Sequence, residues 1–105
     1  GRLVRDHDGR LARIVEEKEA DASVKKIQEV NAGTYVFVCP EVFQILKEIG
    51  SANSQNEYYL PDVVAISRSR GLNVGSFRAR PGEALGVNSM EELARLEENF
   101  RSAVL

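Results

Sequence analysis

The polar residues able to do chemistry in this chain are few and widely spaced. Glu16, Glu17 and Lys18 follow an alternating apolar run, Asn31 interrupts the stretch Val-Asn-Ala-Gly-Thr-Tyr-Val, Asn56-Glu57-Tyr58-Tyr59 precedes a proline, and Asn88 stands one residue before a helix-start signal. Covalent catalysis has no candidate here, because no nucleophile has a base beside it in sequence. The single histidine, His7, falls in a turn between two aspartates, where imidazoles are usually solvated. The single cysteine, Cys39, ends an apolar run before Pro40 and reads as a small buried hydrophobe. One His and one Cys cannot make a zinc site, and no glycine-rich phosphate loop is present. Each remaining polar residue has a purely structural reading: a solvated hairpin end for Glu16 and Lys18, core aromatics with wet hydroxyls for Tyr58 and Tyr59, a helix cap for Asn88. Asn31 resists that reading most. An amide inside an apolar segment is costly to bury unless bonded, and the small neighbours Ala32 and Gly33 leave room for a ligand.

Positioning these residues falls to elements that the patterning indicates. Leu3 alternates with polar neighbours, Asp8-Gly9 makes a turn, and Leu11, Ile14 and Val15 form a second extended run, so a β-hairpin with a type I′ turn is expected to open the chain. Residues 18–28 read as a loop closing in a short helical turn. The stretch 30–38, rich in β-branched and aromatic residues, predicts a largely buried strand ending at Pro40. Pro40 then opens an amphipathic helix whose Val42, Phe43, Ile45, Leu46 and Ile49 share a face up to Gly50. A second helix is predicted from Pro61 through Val63, Val64 and Ile66 to Gly71, and residues 72–78 alternate as another strand. Ser89 and Glu92 stand at capping-box spacing before a last helix carrying Leu93, Leu96, Phe100 and Val104 on one side. The expected fold is therefore α/β, with a hairpin, a mixed sheet and three helices.

Composition narrows the function classes. With 105 residues, 43% of them apolar and 29% charged, the chain has the material for one core and no disordered signature. A net charge of −2 creates no field favouring nucleic acid or an anionic membrane. No apolar run approaches the roughly 20 residues of a bilayer crossing and no leader pattern opens the chain, so a soluble protein in the reducing cytoplasm is expected. The only methionine is Met90, and the chain is expected to be part of something longer.

Taken in order, five segments resemble successive motifs of one family: Gly1-Arg2-Leu3-Val4-Arg5, Ile14-Val15-Glu16-Glu17-Lys18, Glu29-Val30-Asn31-Ala32-Gly33-Thr34-Tyr35, Glu57-Tyr58-Tyr59-Leu60-Pro61-Asp62 and Gly86-Val87-Asn88. The chain resembles the second half of the uridyltransferase domain of the bifunctional N-acetylglucosamine-1-phosphate uridyltransferase / glucosamine-1-phosphate acetyltransferase family. The resemblance implies a Rossmann-like nucleotidyltransferase fold. It also implies a Mg²⁺-assisted reaction joining UTP to N-acetylglucosamine 1-phosphate, which yields UDP-N-acetylglucosamine, a precursor of peptidoglycan and lipopolysaccharide, together with pyrophosphate. By the same resemblance Gly1 meets the sugar through its backbone, Glu16 and Asn31 bond sugar hydroxyls, Asn88 is a magnesium ligand, and Glu57, Tyr59 and Lys18 line or support the sugar pocket. Carboxylate and amide groups are suited to hydroxyls, and an amide oxygen is a hard ligand that Mg²⁺ accepts. In-line displacement at the α-phosphorus relies on positioning and charge neutralisation, which agrees with the lack of a protein nucleophile.

The chain departs from the family at Ala32, Asn56, Pro61 and Ser89, where the family has Thr, Gly, Thr and a second Asn. Asn56 can adopt a left-handed backbone and Ser89 can cap a helix, whereas Pro61 removes a hydroxyl and a backbone donor at the pocket edge. The family's nucleotide loop with its basic residue, its metal-binding aspartate and its hexapeptide repeats do not occur among these 105 residues. The chain is thus expected to be the sugar-binding half and to be inactive alone. Two alternatives stay open: another sugar-1-phosphate nucleotidyltransferase, or a non-catalytic α/β module that self-associates through exposed strand edges.

Overall fold

The computed structural model describes residues 1–104, a mixed α/β arrangement built outward from one hairpin. Strand β1 (Arg2–Arg5) pairs antiparallel with β2 (Leu11–Val15). The turn differs from the expected type I′. Asp6 N–H and Arg10 C=O close a three-residue loop at 2.9 Å, Gly9 N–H donates to Asp6 C=O, and Gly9 has φ +80° while Asp8 stays at negative φ. This is a type I turn followed by one left-handed residue, the three-residue hairpin solution. Asp6 Oδ1 completes it by accepting from the N–H groups of Asp8 and Arg10.

A bulge sets what the hairpin buries. Val4 opposes Arg13 and Arg5 opposes Leu11, so Ala12 is left unpaired. Strict alternation would send Leu11 and Ile14 to opposite faces; the extra residue lets both reach the core. There they meet Ile45, Val63 and Val64, with Leu3, Tyr35, Ile66 and Val74 packed against them.

Among the described residues four α-helices follow, one more than the sequence reading counts: α1 (Ala22–Lys25), α2 (Glu41–Leu46), α3 (Val63–Ser69) and α4 (Met90–Val104). The extra one is the short turn expected near residue 24, capped by Asp21, whose side chain accepts from Val24 N–H. Pro40 lies just outside α2, at its N-cap, and α2 buries Val42 and Ile45 while Phe43 stays exposed. A 3₁₀ turn (Leu60–Asp62) containing Pro61 leads into α3. That helix ends at Gly71, φ +74°, where Leu72 N–H bonds Ser67 C=O and Gly71 N–H bonds Arg68 C=O, both at 3.0 Å. The paired bonds form a Schellman motif, and glycine takes the left-handed position without a Cβ penalty.

The mixed sheet is not formed. Among the described residues the only sheet has two strands. The expected strand 30–38 is reduced to one isolated bridge, Arg2 with Val30, and 72–78 carries no strand. Strand propensity records how well side chains fit a pleated surface with neighbours; without a partner ladder these segments leave Val36 97% and Phe77 95% exposed. Cys39 is exposed as well, contrary to expectation, because the sheet that would bury it is missing.

Arginines fasten the pieces together. Arg2 Nη1 donates to the carbonyls of Lys25 and Ile27, both at 2.6 Å, and its Nε reaches Glu17. Arg5 holds Glu29, and Arg68 on α3 donates to Leu11 C=O at 2.8 Å and to Asp6 Oδ2 at 2.7 Å. The Arg68 guanidinium, with the two turn N–H groups, keeps the Asp6 carboxyl below its usual range.

Candidate functional site

A cavity of about 460 Å³ opens where β2 ends, within the size range of small-molecule sites. One wall is Arg13 to Glu16, carried past the strand end by the paired ribbon. Facing it are Glu19 from the 3₁₀ turn Glu17–Glu19, Asn53 from the loop after α2, and Tyr59 and Asp62 around the turn into α3. Three carboxylates against one guanidinium make this an acceptor-rich, negatively charged recess.

The rim is tied across the loop 51–57. Glu19 Oε1 accepts from Ser54 N–H at 2.7 Å and from the Ser54 hydroxyl, and Lys18 Nζ donates to Gln55 Oε1 at 3.1 Å. Asn53 Oδ1 accepts from the N–H groups of Gln55 and Glu57 while its Nδ2 donates to Glu57 C=O at 2.6 Å. Asn56 takes the left-handed conformation, φ 51°, which the sequence reading allowed it. Lys18 and Glu57 therefore brace the rim without lining the cavity, and Tyr59 lines it.

Gly1 links Glu16 to Asn31. Its carbonyl accepts from Asn31 N–H at 2.9 Å, and its backbone nitrogen lies 3.7 Å from Glu16 Oε2. A Cβ on Gly1 would stand 2.9 Å from Ile14 Cγ2 and 3.2 Å from Glu16 Oε1, so only glycine fits without a shift. The Asn31 side chain, half-buried, donates to Tyr35 Oη at 2.8 Å and accepts from Gly33 N–H at 3.0 Å. An amide has two N–H bonds and two lone pairs, so half of its capacity remains free of these contacts.

Asn88 is not brought to the cavity. It lies in the exposed segment before α4, and its N–H donates to Glu92 Oε2 at 2.8 Å. No group of three or more His, Cys, Asp or Glu side chains able to hold a metal occurs among the described residues. One amide oxygen does not make a magnesium site, so these residues by themselves do not fit the ion. His7, fully in solvent beside Asp8, has no place in the site.

Burial and charge act on the cavity's acids. Desolvation, followed by repulsion from Glu16, raises the Asp62 pKa. Desolvation also raises that of Tyr59, with Glu19, Glu57, Glu16 and Asp62 adding in that order. Asp62 and Glu19 also line the cavity, although their sequence contexts do not single them out. Asp62 stands right after a proline at a helix start, where an acid reads as a cap, and Glu19 lies in a charged stretch that reads as solvated loop.

Fold and site together define a mixed α/β chain with an acidic recess at the end of a bulged hairpin. Along nearly its whole length this chain is similar to one segment of the bifunctional protein GlmU. It is 48% identical to that of Halalkalibacterium halodurans and 42% identical to that of Streptococcus uberis, each over 105 residues, 99% of this chain and 23% of the relative. With the protein of Exiguobacterium sibiricum it shares 42% over 102 residues, 96% of this chain and 23% of the relative. The chain thus spans less than a quarter of the length of the curated relatives it matches. No protein-family profile matches it. No helix among the described residues is long and apolar enough to cross a membrane.

Proposed function

We propose that this chain is the sugar-binding, C-terminal half of a Rossmann-like uridyltransferase domain. In the whole enzyme it takes part in transferring UMP from UTP to N-acetylglucosamine 1-phosphate, giving UDP-N-acetylglucosamine and pyrophosphate in the cytoplasm. The observation that carries this reading is that Glu16, which lines the acceptor-rich recess, lies next to Gly1, whose carbonyl in turn accepts from Asn31 N–H, although Gly1 and Asn31 do not themselves line that recess. Such a surface matches a ring of hydroxyls, and its net negative charge favours the saccharide end of the ligand over the phosphate end. Similarity along the whole chain to GlmU proteins supports the same choice of substrate. Mg²⁺ belongs to the complete reaction, with Asn88 contributing one oxygen of a shell that other groups must complete. By itself the chain is inactive.

Titration of the chain with UDP-N-acetylglucosamine, followed by NMR, tests this. Binding that Asn31→Ala weakens by about tenfold is expected, since a hydrogen bond to a neutral ligand contributes about 0.5–1.5 kcal/mol and its loss strands a partner. Pyrophosphate release from UTP and the sugar phosphate at enzymatic rates would contradict the claim of inactivity. The interaction-module reading draws on the exposed Val36 and Phe77; absence of saccharide binding together with self-association would favour it.

A further inference from the structure

Asp62 occupies the N-cap position of α3 and does not cap it. Its backbone is already helical, φ −62° and ψ −17°, because the 3₁₀ turn runs straight into the helix, and Val63 N–H is taken by the carbonyls of Leu60 and Pro61. The carboxyl is left without its usual local donors. It is half-buried, accepts no hydrogen bond from any described side chain or backbone group, and borders the cavity. Around that cavity stand Arg13 and Glu16 at the end of β2, Glu19 on the neighbouring turn, Tyr59 on its own turn and the uncharged Ala65 of α3. Glu19 is engaged by Ser54, and Glu16 has only a 3.7 Å approach to the Gly1 nitrogen, so Asp62 shares with Glu16 a carboxylate that accepts no hydrogen bond, and it alone of the two stands at a helix start without capping it. The oxygens of this carboxylate stay open to solvent, so a ligand hydroxyl or N–H can take the place of water there. Desolvation, with Glu16 behind it, raises the pKa of this group.

We propose that Asp62 is a specificity-determining residue of this cavity: it accepts a hydrogen bond from a hydroxyl or amide N–H of the saccharide, and its charge, with those of Glu16 and Glu19, turns the phosphate end of the ligand outward. The inference rests on the saccharide reading above. Free N-acetylglucosamine and its 1-phosphate are the two probes, each titrated into the full chain by NMR. Asp62→Asn is isosteric and removes the charge. It should weaken the neutral sugar about tenfold and the 1-phosphate distinctly less, because a repulsion disappears together with the bond. Asp62→Glu keeps the charge and should retain the wild-type preference for the neutral sugar. That altered ratio is a readout which simple loss of structure would not produce. Equal weakening of both probes by Asp62→Asn, or no weakening of either while Asn31→Ala still weakens both, would overturn the role of Asp62 and leave the saccharide reading standing. Failure of the wild-type chain to bind either probe would refute the saccharide reading and this role with it.

Discussion

Arg5 grips Glu29 through two parallel bonds, Nε to Oε1 at 2.7 Å and Nη2 to Oε2 at 2.9 Å, with Arg78 a further 3.5 Å contact. Bidentate pairing of this kind is geometrically specific, and it fixes the approach to Asn31 two residues on. The bond to Arg5 lowers the Glu29 pKa from 4.5 to about 2. The folded value lies below the unfolded one, so the stabilisation is complete above 4.5 and fades as pH falls toward 2, where the unfolded chain binds the proton first. Urea titrations across that window should show wild-type stability declining with acid, and Glu29→Gln should be less stable at neutral pH with a flatter profile. A variant profile as steep as the wild type would refute this linkage. At the level of single residues, Glu16 and Tyr59 stand out in sequence because they sit in ordered motifs, and the structure places both on the wall of the recess. Asp62, on the same wall, was hidden by its own context: the proline before it and the helix after it explain an aspartate there well enough that its place at the recess leaves no trace in the letters.

Among the elements, α4 depends on local chemistry alone. None of its residues is buried, and an isolated helix of its 15 residues is marginal in water. What holds it is a cap in which Ser89 Oγ accepts from Glu92 N–H at 3.1 Å, the Glu92 carboxylate reaching back to Asn88 N–H, and the ion pairs Glu91–Arg95 and Glu97–Arg101. Ser89→Ala should cost about 1 kcal/mol of helix stability, seen as reduced far-UV circular dichroism and faster amide exchange across α4. The denaturation midpoint of the core should not move; a shifted midpoint would mean that α4 is packed after all. The capping box and the glycine stop of α3 were legible because their signals are local. The strands at 30–38 and 72–78 were over-read because a ladder requires a second strand, and β-branched composition cannot say whether one is present. The hairpin was right in place and wrong in turn type, since Asp8-Gly9 fits both a two-residue and a three-residue loop until Asp6 is seen to organise it.

The molecule as a whole is more open than its length implies. Its radius of gyration is 15.8 Å, against about 13 Å for a compact domain of some 100 residues. Val36, Val38 and Phe77 stand in solvent alongside segments of unpaired backbone, the combination that invites edge pairing. Sedimentation equilibrium should show weight-average mass rising with concentration, and the double variant Val36→Lys, Phe77→Lys should suppress that rise. A monomer at every concentration would rule out self-association through these edges. Compensating for this openness, long-range arginine contacts span the chain, among them the one that joins Arg68 to Asp6, 62 positions earlier. Synthesis runs from the amino end, so the ribbon and its acidic wall leave the ribosome well before the guanidinium that steadies their turn. For that interval the nascent chain carries the recess half-built, and its far side comes into being only with the emergence of α3.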